Sequence, residues 1–267
     1  MRLLLAIAFV VQGLPCAAPP QGAEQGHLVI VGGGTTTAEI QKRALSLSGG
    51  DKAAVLVIPQ ASEVSDGTES AKMWKEAGAA SVAILELKDD AAAVEQVKKA
   101  TLIWIPGGDQ ARLMKALEKS AVPDAIRKRH AEGATVGGTS AGAAVMSKTM
   151  IAGSGDAKGI TKGAAKFGEG LALWPTVIVD QHFVARDRLA RLTQAVLEHP
   201  GLVGVGIDES TAVVVAGAGF EVIGKSSVVV IDARKAKITV KEGEPSSATG
   251  VVTHYLKAGD RFELSSK

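Results

Sequence analysis

From Leu28 to Ile207, strand-length apolar runs alternate with longer mixed segments, and past Ile207 the longer segments stop. That change of rhythm limits the fold more than any other feature. The runs are Leu28 to Val31, Ala54 to Ile58, Val82 to Leu87, Leu102 to Ile105, Ala134 to Val136, Val177 to Val179 and Val203 to Ile207. Helical candidates lie between them, among them Glu69 to Ala77, Ala92 to Lys99, Ala111 to Lys119, Pro123 to Ala131 and Arg186 to Glu198. Continuous Val/Ile/Leu strands separated by helices predict an α/β fold, a mostly parallel sheet with helices on both faces. The later runs are Thr211 to Val215, Phe220 to Ile223, Ser227 to Ile231, Lys237 to Val240, Val251 to Leu256 and Arg261 to Leu264. Short Gly, Asp, Lys and Pro punctuation spaces them, so they predict an antiparallel β extension at the C-terminus. No Pro/Ser-rich linker sets this extension apart, and residues 24–267 are read as one domain.

Residues 1–23 have the form of a secretory leader. Met1-Arg2 is followed by the apolar run Leu3 to Val11 and then by Pro15-Cys16-Ala17-Ala18. The run is too short to span a membrane. An exported protein, periplasmic or extracellular, is therefore expected. Cys16, the single cysteine, lies within this leader. It is a candidate lipid-attachment site, although Gly13-Leu14-Pro15 makes a poor lipobox. The remaining chain then has neither a disulfide nor a thiol nucleophile.

Net charge is +2 with acids and bases interspersed, and aromatic residues make up 3% of the chain. Neither the electrostatic footprint nor the stacking platforms of a nucleic-acid binder are present. Small substrates or peptides fit better. The loop Gly32-Gly33-Gly34-Thr35 follows a strand, but it lacks the third glycine of a dinucleotide fingerprint. It is read as a tight turn at the carboxyl edge of the sheet, bordering any cleft there. The five histidines have no paired metal-ligand spacing, and neither a metal nor another cofactor is expected.

Gly138-Thr139-Ser140-Ala141-Gly142 stands where an apolar run gives way to a small, helix-forming segment. In a G-x-S-x-G turn between strand and helix, small neighbours permit a strained backbone that lifts the serine hydroxyl out of the sheet. Ser140 is thus a candidate nucleophile, the competing reading being a simple helix cap. A nucleophilic serine needs a base, and His182, after the run Val177-Ile178-Val179-Asp180-Gln181, falls at a strand end. The acid that would orient it is Asp208 or Glu209, and the residues alone divide evenly between them. Gly107-Gly108-Asp109-Gln110 ends another strand and offers backbone amides for an oxyanion, or an ordinary turn capped by Asp109. Arg186, Arg188 and Arg191 begin the helix after His182. They are candidates for pairing with substrate carboxylates, or else a solvent-facing surface.

Together, Gly107-Gly108-Asp109-Gln110, Gly137-Gly138-Thr139-Ser140-Ala141-Gly142-Ala143, Asp180-Gln181-His182-Phe183 and Gly206-Ile207-Asp208-Glu209-Ser210-Thr211-Ala212 resemble the cyanophycinase and peptidase E family of serine peptidases. The resemblance runs from about Leu28 to Ile231. It implies a fold like that of class I glutamine amidotransferases, with Ser140 as nucleophile, His182 as base and Glu209 as orienting acid. It further implies Gly108 and Ala141 as oxyanion donors. In the cyanophycinase branch the counterparts of Gln110, Asp180, Gln181, Arg186, Arg188 and Arg191 line the substrate groove. Arginines there would hold the α-carboxylates of cyanophycin, while acids such as Asp180 would receive its guanidinium groups. The expected reaction releases β-Asp-Arg dipeptides through an acyl-enzyme, and the family also implies a homodimer. Two other readings are an aspartyl dipeptidase acting on short Asp-X peptides and a non-catalytic envelope binding protein for acidic peptides.

Overall fold

A computed structural model describes residues 25–64 and 66–264. Residues 1–23, where a leader is expected, and with them Cys16, lie outside the described residues. Five strands, β1 (Leu28–Val31), β2 (Ala54–Val57), β3 (Ser81–Ile84), β4 (Leu102–Ile105) and β5 (Thr135–Thr139), run parallel in the order β1-β5-β4-β2-β3. On the β1 side, β10 (Thr211–Ala216), β11 (Gly219–Gly224) and β16 (Arg261–Glu263) extend the sheet antiparallel. The expected architecture of a mostly parallel sheet with an antiparallel C-terminal extension is therefore present.

Both faces of the inner parallel strands are apolar because both are covered, whereas the edge strand β3 is exposed to half-exposed. Val29, Val31, Val55, Val57, Leu102 and Trp104 meet α1 (Ala38–Ser46) and α2 (Thr68–Glu76), which supply Ile40, Ala44, Ala71 and Trp74. Trp74 packs edge-on to Trp104 with ring centroids 4.9 Å apart, a contact that adds about 0.5–1.5 kcal/mol beyond the area it buries. The alternate residues Leu28, Ile30, Leu56, Ile103, Ile105 and Val136 face α3 (Asp90–Lys99), α4 (Gln110–Leu117), α5 (Val122–Ala131) and α6 (Ala141–Ala144). Side-chain caps start two of these helices: Asp89 accepts from the Ala92 amide at 3.1 Å and Asp109 from the Arg112 amide at 2.8 Å.

The strands expected at Val177 and Val203 do not join this sheet. β8 (Val177–Gln181) and β9 (Val203–Ile207) pair parallel with each other, and β12 (Ser227–Asp232) and β15 (Val252–Lys257) complete a separate four-stranded sheet, β15-β12-β9-β8. Its inner face, with Val205, Val228 and Val230, shares a core with the first sheet. Its outer face, with Ile178, Val229 and Ile231, is covered by α7 (Leu189–Glu198) through Leu192 and Val196. The segment between Ser147 and Pro175 forms a hairpin, β6 (Thr149–Ser154) and β7 (Ala165–Glu169), and a smaller hairpin pairs β13 (Lys237–Thr239) with β14 (Ser247–Thr249).

The two sheets meet where the chain passes from β9 to β10 in the turn Asp208-Glu209-Ser210. There the Ser210 amide donates to the Gly33 carbonyl at 2.8 Å, and the His182 amide donates to the Gly32 carbonyl at 2.5 Å. The carboxyl ends of β1, β4, β5, β8 and β9 thus converge on one place. Ligands of α/β sheets bind on this side of the strands.

Candidate active site

Ser140 follows β5 with φ 54° and ψ −110°, a conformation that side-chain-bearing residues rarely adopt. Such strain, of order 1–3 kcal/mol, persists only where the surroundings enforce it. Here the enforcement is close packing: a Cβ on Gly142 would lie 1.9 Å from the Ile105 carbonyl oxygen. The hydroxyl does not cap α6, which removes the helix-cap reading of this serine. Instead Ser140 Oγ lies 2.9 Å from His182 Nε2.

On the other side of the ring, His182 Nδ1 lies 2.5 Å from Glu209 Oε1. With the Nδ1 proton donated to the carboxylate, Nε2 is left as the acceptor for the serine proton. Asp208, the alternative acid, points elsewhere, because adjacent residues leaving a strand face opposite ways. Its Oδ1 accepts from the amides of Val184 (3.1 Å) and Ala185 (3.0 Å), and its Oδ2 accepts from the Ser226 hydroxyl at 2.6 Å. Burial pushes the Asp208 carboxyl up, but these donors outweigh it and leave the carboxyl below its ordinary range.

The glycine loop after β1 has a part that the sequence did not disclose. Gly33 adopts φ +115°, and a Cβ there would sit 2.3 Å from His182 Cε1 and 2.5 Å from Nε2. The imidazole occupies the volume that any other residue would fill. Gly34 is equally close to Glu209, its own Cβ position lying 3.0 Å from the Glu209 Cβ. The loop is thus the floor of the His182–Glu209 pair. The run of three glycines was the signal, and what it lacked was the identity of the group it approaches.

The loop after β4 lies against the serine: a Cβ on Gly107 would be 3.5 Å from the Ser140 Cβ. Among the described residues, the Gly108 and Ala141 amides have no acceptor. They are the two amides expected to face an oxyanion. Asp109 caps α4, so the helix cap and the unpaired Gly108 amide belong to one loop. Gln110 is half-buried, and its Nε2 donates to the Ile151 carbonyl at 2.9 Å, tying α4 to the β6 strand.

Arg186 and Arg188 do not lie in a helix as the sequence suggested. They belong to the turn between β8 and α7, where Asp187 takes φ +49°, and only Arg191 stands on α7. Asp180 corrects a second expectation. It is 1% exposed, its carboxylate is forked by Arg191, and Arg188 Nη1 lies 3.5 Å away. It holds the arginines from beneath and is not open to receive a guanidinium from solvent. Burial pushes the Asp180 carboxyl up, against the pull of Arg191 and Arg188. Arg188 also donates to the Gln181 carbonyl at 2.5 Å. Burial first, and then the cation of Arg191, lower the Arg188 guanidinium to about 10. The Gln181 side chain is buried, and its Oε1 has no partner among the described residues. The three arginines border a pocket of about 410 Å³ whose other wall, the end of β6 and the β6–β7 loop, contributes Ser154 and Lys158. Lys158 was not foreseen, since nothing in the sequence marks this loop as the facing wall.

The family model described as peptidase family S51 matches residues 28–223, which includes Ser140, His182 and Glu209. The chain belongs to this family. It is 37% identical over 260 residues to a cyanophycinase of Nostoc sp. strain PCC 7120, covering 92% of this chain and 87% of that one. It is also 37% identical over 237 residues to a cyanophycinase of Geminocystis herdmanii, covering 84% of this chain and 87% of that one. Among solved structures, a peptidase from an acI-B1 actinobacterium matches with a TM-score of 0.61 at 24% identity, over 91% of this chain and 98% of the other, a likeness of fold. The S51 chain described here is thus a hydrolase of the serine-peptidase type.

Proposed function

We propose that this S51 peptidase hydrolyses cyanophycin, multi-L-arginyl-poly-L-aspartate, to β-Asp-Arg dipeptides through an acyl-enzyme on Ser140. The observation that carries the chemistry is the unbroken relay of 2.9 Å from Ser140 Oγ to His182 Nε2 and 2.5 Å from His182 Nδ1 to Glu209. In this reading Oγ attacks the aspartyl backbone carbonyl while Nε2 takes its proton. Glu209 stabilises the imidazolium so formed. The Gly108 and Ala141 amides meet the developing oxyanion, a kind of interaction in which each donor is worth roughly 10²–10³ in rate. His182 then returns the proton to the leaving amine, and water repeats the sequence in reverse to free the product.

The substrate assignment rests on charge and on kinship. Arg186, Arg188, Arg191 and Lys158 border one pocket, and its cations suit the α-carboxylates that cyanophycin displays on its arginyl branches. The relatives at 37% identity are cyanophycinases. On the pattern of residues 1–23 we place the reaction outside the cytoplasm, on polymer used as an external nutrient.

The test is a comparison of purified cyanophycin with a panel of Asp-X dipeptides, followed by chromatography of the products. Release of β-Asp-Arg from the polymer supports the proposal. Cleavage confined to the short peptides would keep the serine chemistry and move the substrate to the dipeptidase side.

A further inference from the structure

The turn that follows His182 is fastened by a residue outside the serine relay. Residues 184–187 are exposed, yet this turn stands between His182 and the arginine pocket. Its backbone is strained at both ends, with φ +48° at His182 and +49° at Asp187. Within the turn, the Arg186 amide donates to the His182 carbonyl at 3.0 Å and the Arg188 amide to the Phe183 carbonyl at 3.0 Å. Those bonds fold the turn on itself without fixing it to the rest of the molecule.

Besides the His182 amide bond to the Gly32 carbonyl and the Arg188 side chain's contacts with Asp180 and the Gln181 carbonyl, two attachments fix it. The Phe183 ring lies against Gly206, where a Cβ would come within 2.4 Å of it, and the Phe183 amide donates to the Ile207 carbonyl at 3.2 Å. The second attachment is Asp208, whose Oδ1 receives the two consecutive amides of Val184 and Ala185 while Oδ2 receives the Ser226 hydroxyl. The Asp208 amide in turn donates to the Ser227 carbonyl at 3.2 Å, which anchors it to β12. A carboxylate with three donors is a strong, charge-assisted clamp. Because Glu209 is its immediate neighbour, the clamp fixes the base-bearing turn and the orienting acid to the same short segment.

We propose that Asp208 is a positioning residue for the peptidase, clamping the turn Phe183–Arg188 so that the His182 imidazole and the Arg186 and Arg188 side chains keep their register with Ser140 and Glu209. The inference rests on the serine-peptidase reading of Ser140. Asp208 touches neither substrate nor the reacting atoms, and it acts through the backbone of the turn. Asparagine at this position keeps a carbonyl oxygen for the two amides, and Ser226 accepts in place of donating. Alanine removes all three contacts.

The experiment compares wild type, Asp208→Asn and Asp208→Ala at a temperature where each is folded. Two readouts are independent of the natural substrate: the low-field proton resonance of His182 Nδ1 bound to Glu209, and the rate at which a neutral fluorophosphonate labels Ser140. Asp208→Ala should lose the low-field resonance and label at least tenfold more slowly. Asp208→Asn should retain the resonance and label within about threefold of wild type. An unchanged resonance and labelling rate in folded Asp208→Ala would overturn the inference, leaving Asp208 a contributor to stability only. If wild type fails to label while the resonance still disappears in Asp208→Ala, the clamp stands on the resonance, and loss or retention of turnover in Ser140→Ala decides the serine-nucleophile reading separately.

Discussion

Replacing Gly33 with alanine tests whether the glycine loop is the floor of the imidazole. The new methyl would lie 2.3 Å from His182 Cε1 and 2.5 Å from Nε2, whereas carbon atoms in contact sit roughly 3.5–4.0 Å apart. The ring must therefore retreat by about 1 Å or more, which stretches the 2.9 Å contact with Ser140 beyond hydrogen-bonding range. A misplacement of about 1 Å costs on the order of 10² in rate, or about 2.7 kcal/mol of barrier. The positive φ of +115° adds backbone strain of about 1–3 kcal/mol, and each kcal/mol lowers Tm by about 2–4 °C in a domain of this size class. Gly49 separates the two effects, because it has φ +100° with nothing within 4 Å of its Cβ position. Gly49→Ala should thus lose stability and keep its turnover, whereas Gly33→Ala should lose about 100-fold in kcat. The assay is steady-state hydrolysis of the best substrate beside a thermal melt of each variant. A Gly33→Ala enzyme within threefold of wild type, or one no more impaired than Gly49→Ala, would refute the reasoning.

Two further outcomes concern stability. Asp180→Ala leaves the Arg191 and Arg188 guanidiniums, with side chains 11% and 14% exposed, without their carboxylate. Urea denaturation should show a loss of about 3–5 kcal/mol, and Asp180→Ala with Arg191→Met should recover part of it. His130 is 3% exposed and its pKa is held below the ordinary value, chiefly by burial and also by His27, against the pull of its bond to the Ala134 carbonyl. The unfolded chain therefore binds the proton more tightly, so stability should fall as pH drops below about 6.5 and level off beneath the folded value. In His130→Gln, urea denaturation across pH should show a shallower slope in that window.

The inner parallel strands were legible because both of their faces are buried, which writes them as unbroken apolar runs such as Leu28 to Val31. The sheet that each strand joins was not, since Val203 to Ile207 reads the same whether its neighbour is β8 or β1. The hairpin from Thr149 to Glu169 escaped notice because its strands are half-exposed and carry Gly, Lys and Glu. At the site, Ser140 and His182 stood out by their place at strand ends. Asp208 and Glu209 did not separate, because two adjacent acids leaving one strand differ only in the direction they face. Asp180 carried a signal that was misread: an acid inside a buried strand with arginines 8 and 11 residues on is more readily an internal partner than a receptor for a ligand. The arginine turn reads as helix because nothing in Val184-Ala185-Arg186-Asp187 announces the positive φ at Asp187.

We propose Ser140 as the nucleophile of a peptidase acting on cyanophycin. The most direct measurement is β-Asp-Arg release from the polymer by wild type and by Ser140→Ala, with polymer binding measured on both. Folding and binding should be unimpaired in the variant, with turnover lost by at least about 10⁴-fold. Undiminished release by Ser140→Ala would contradict that assignment.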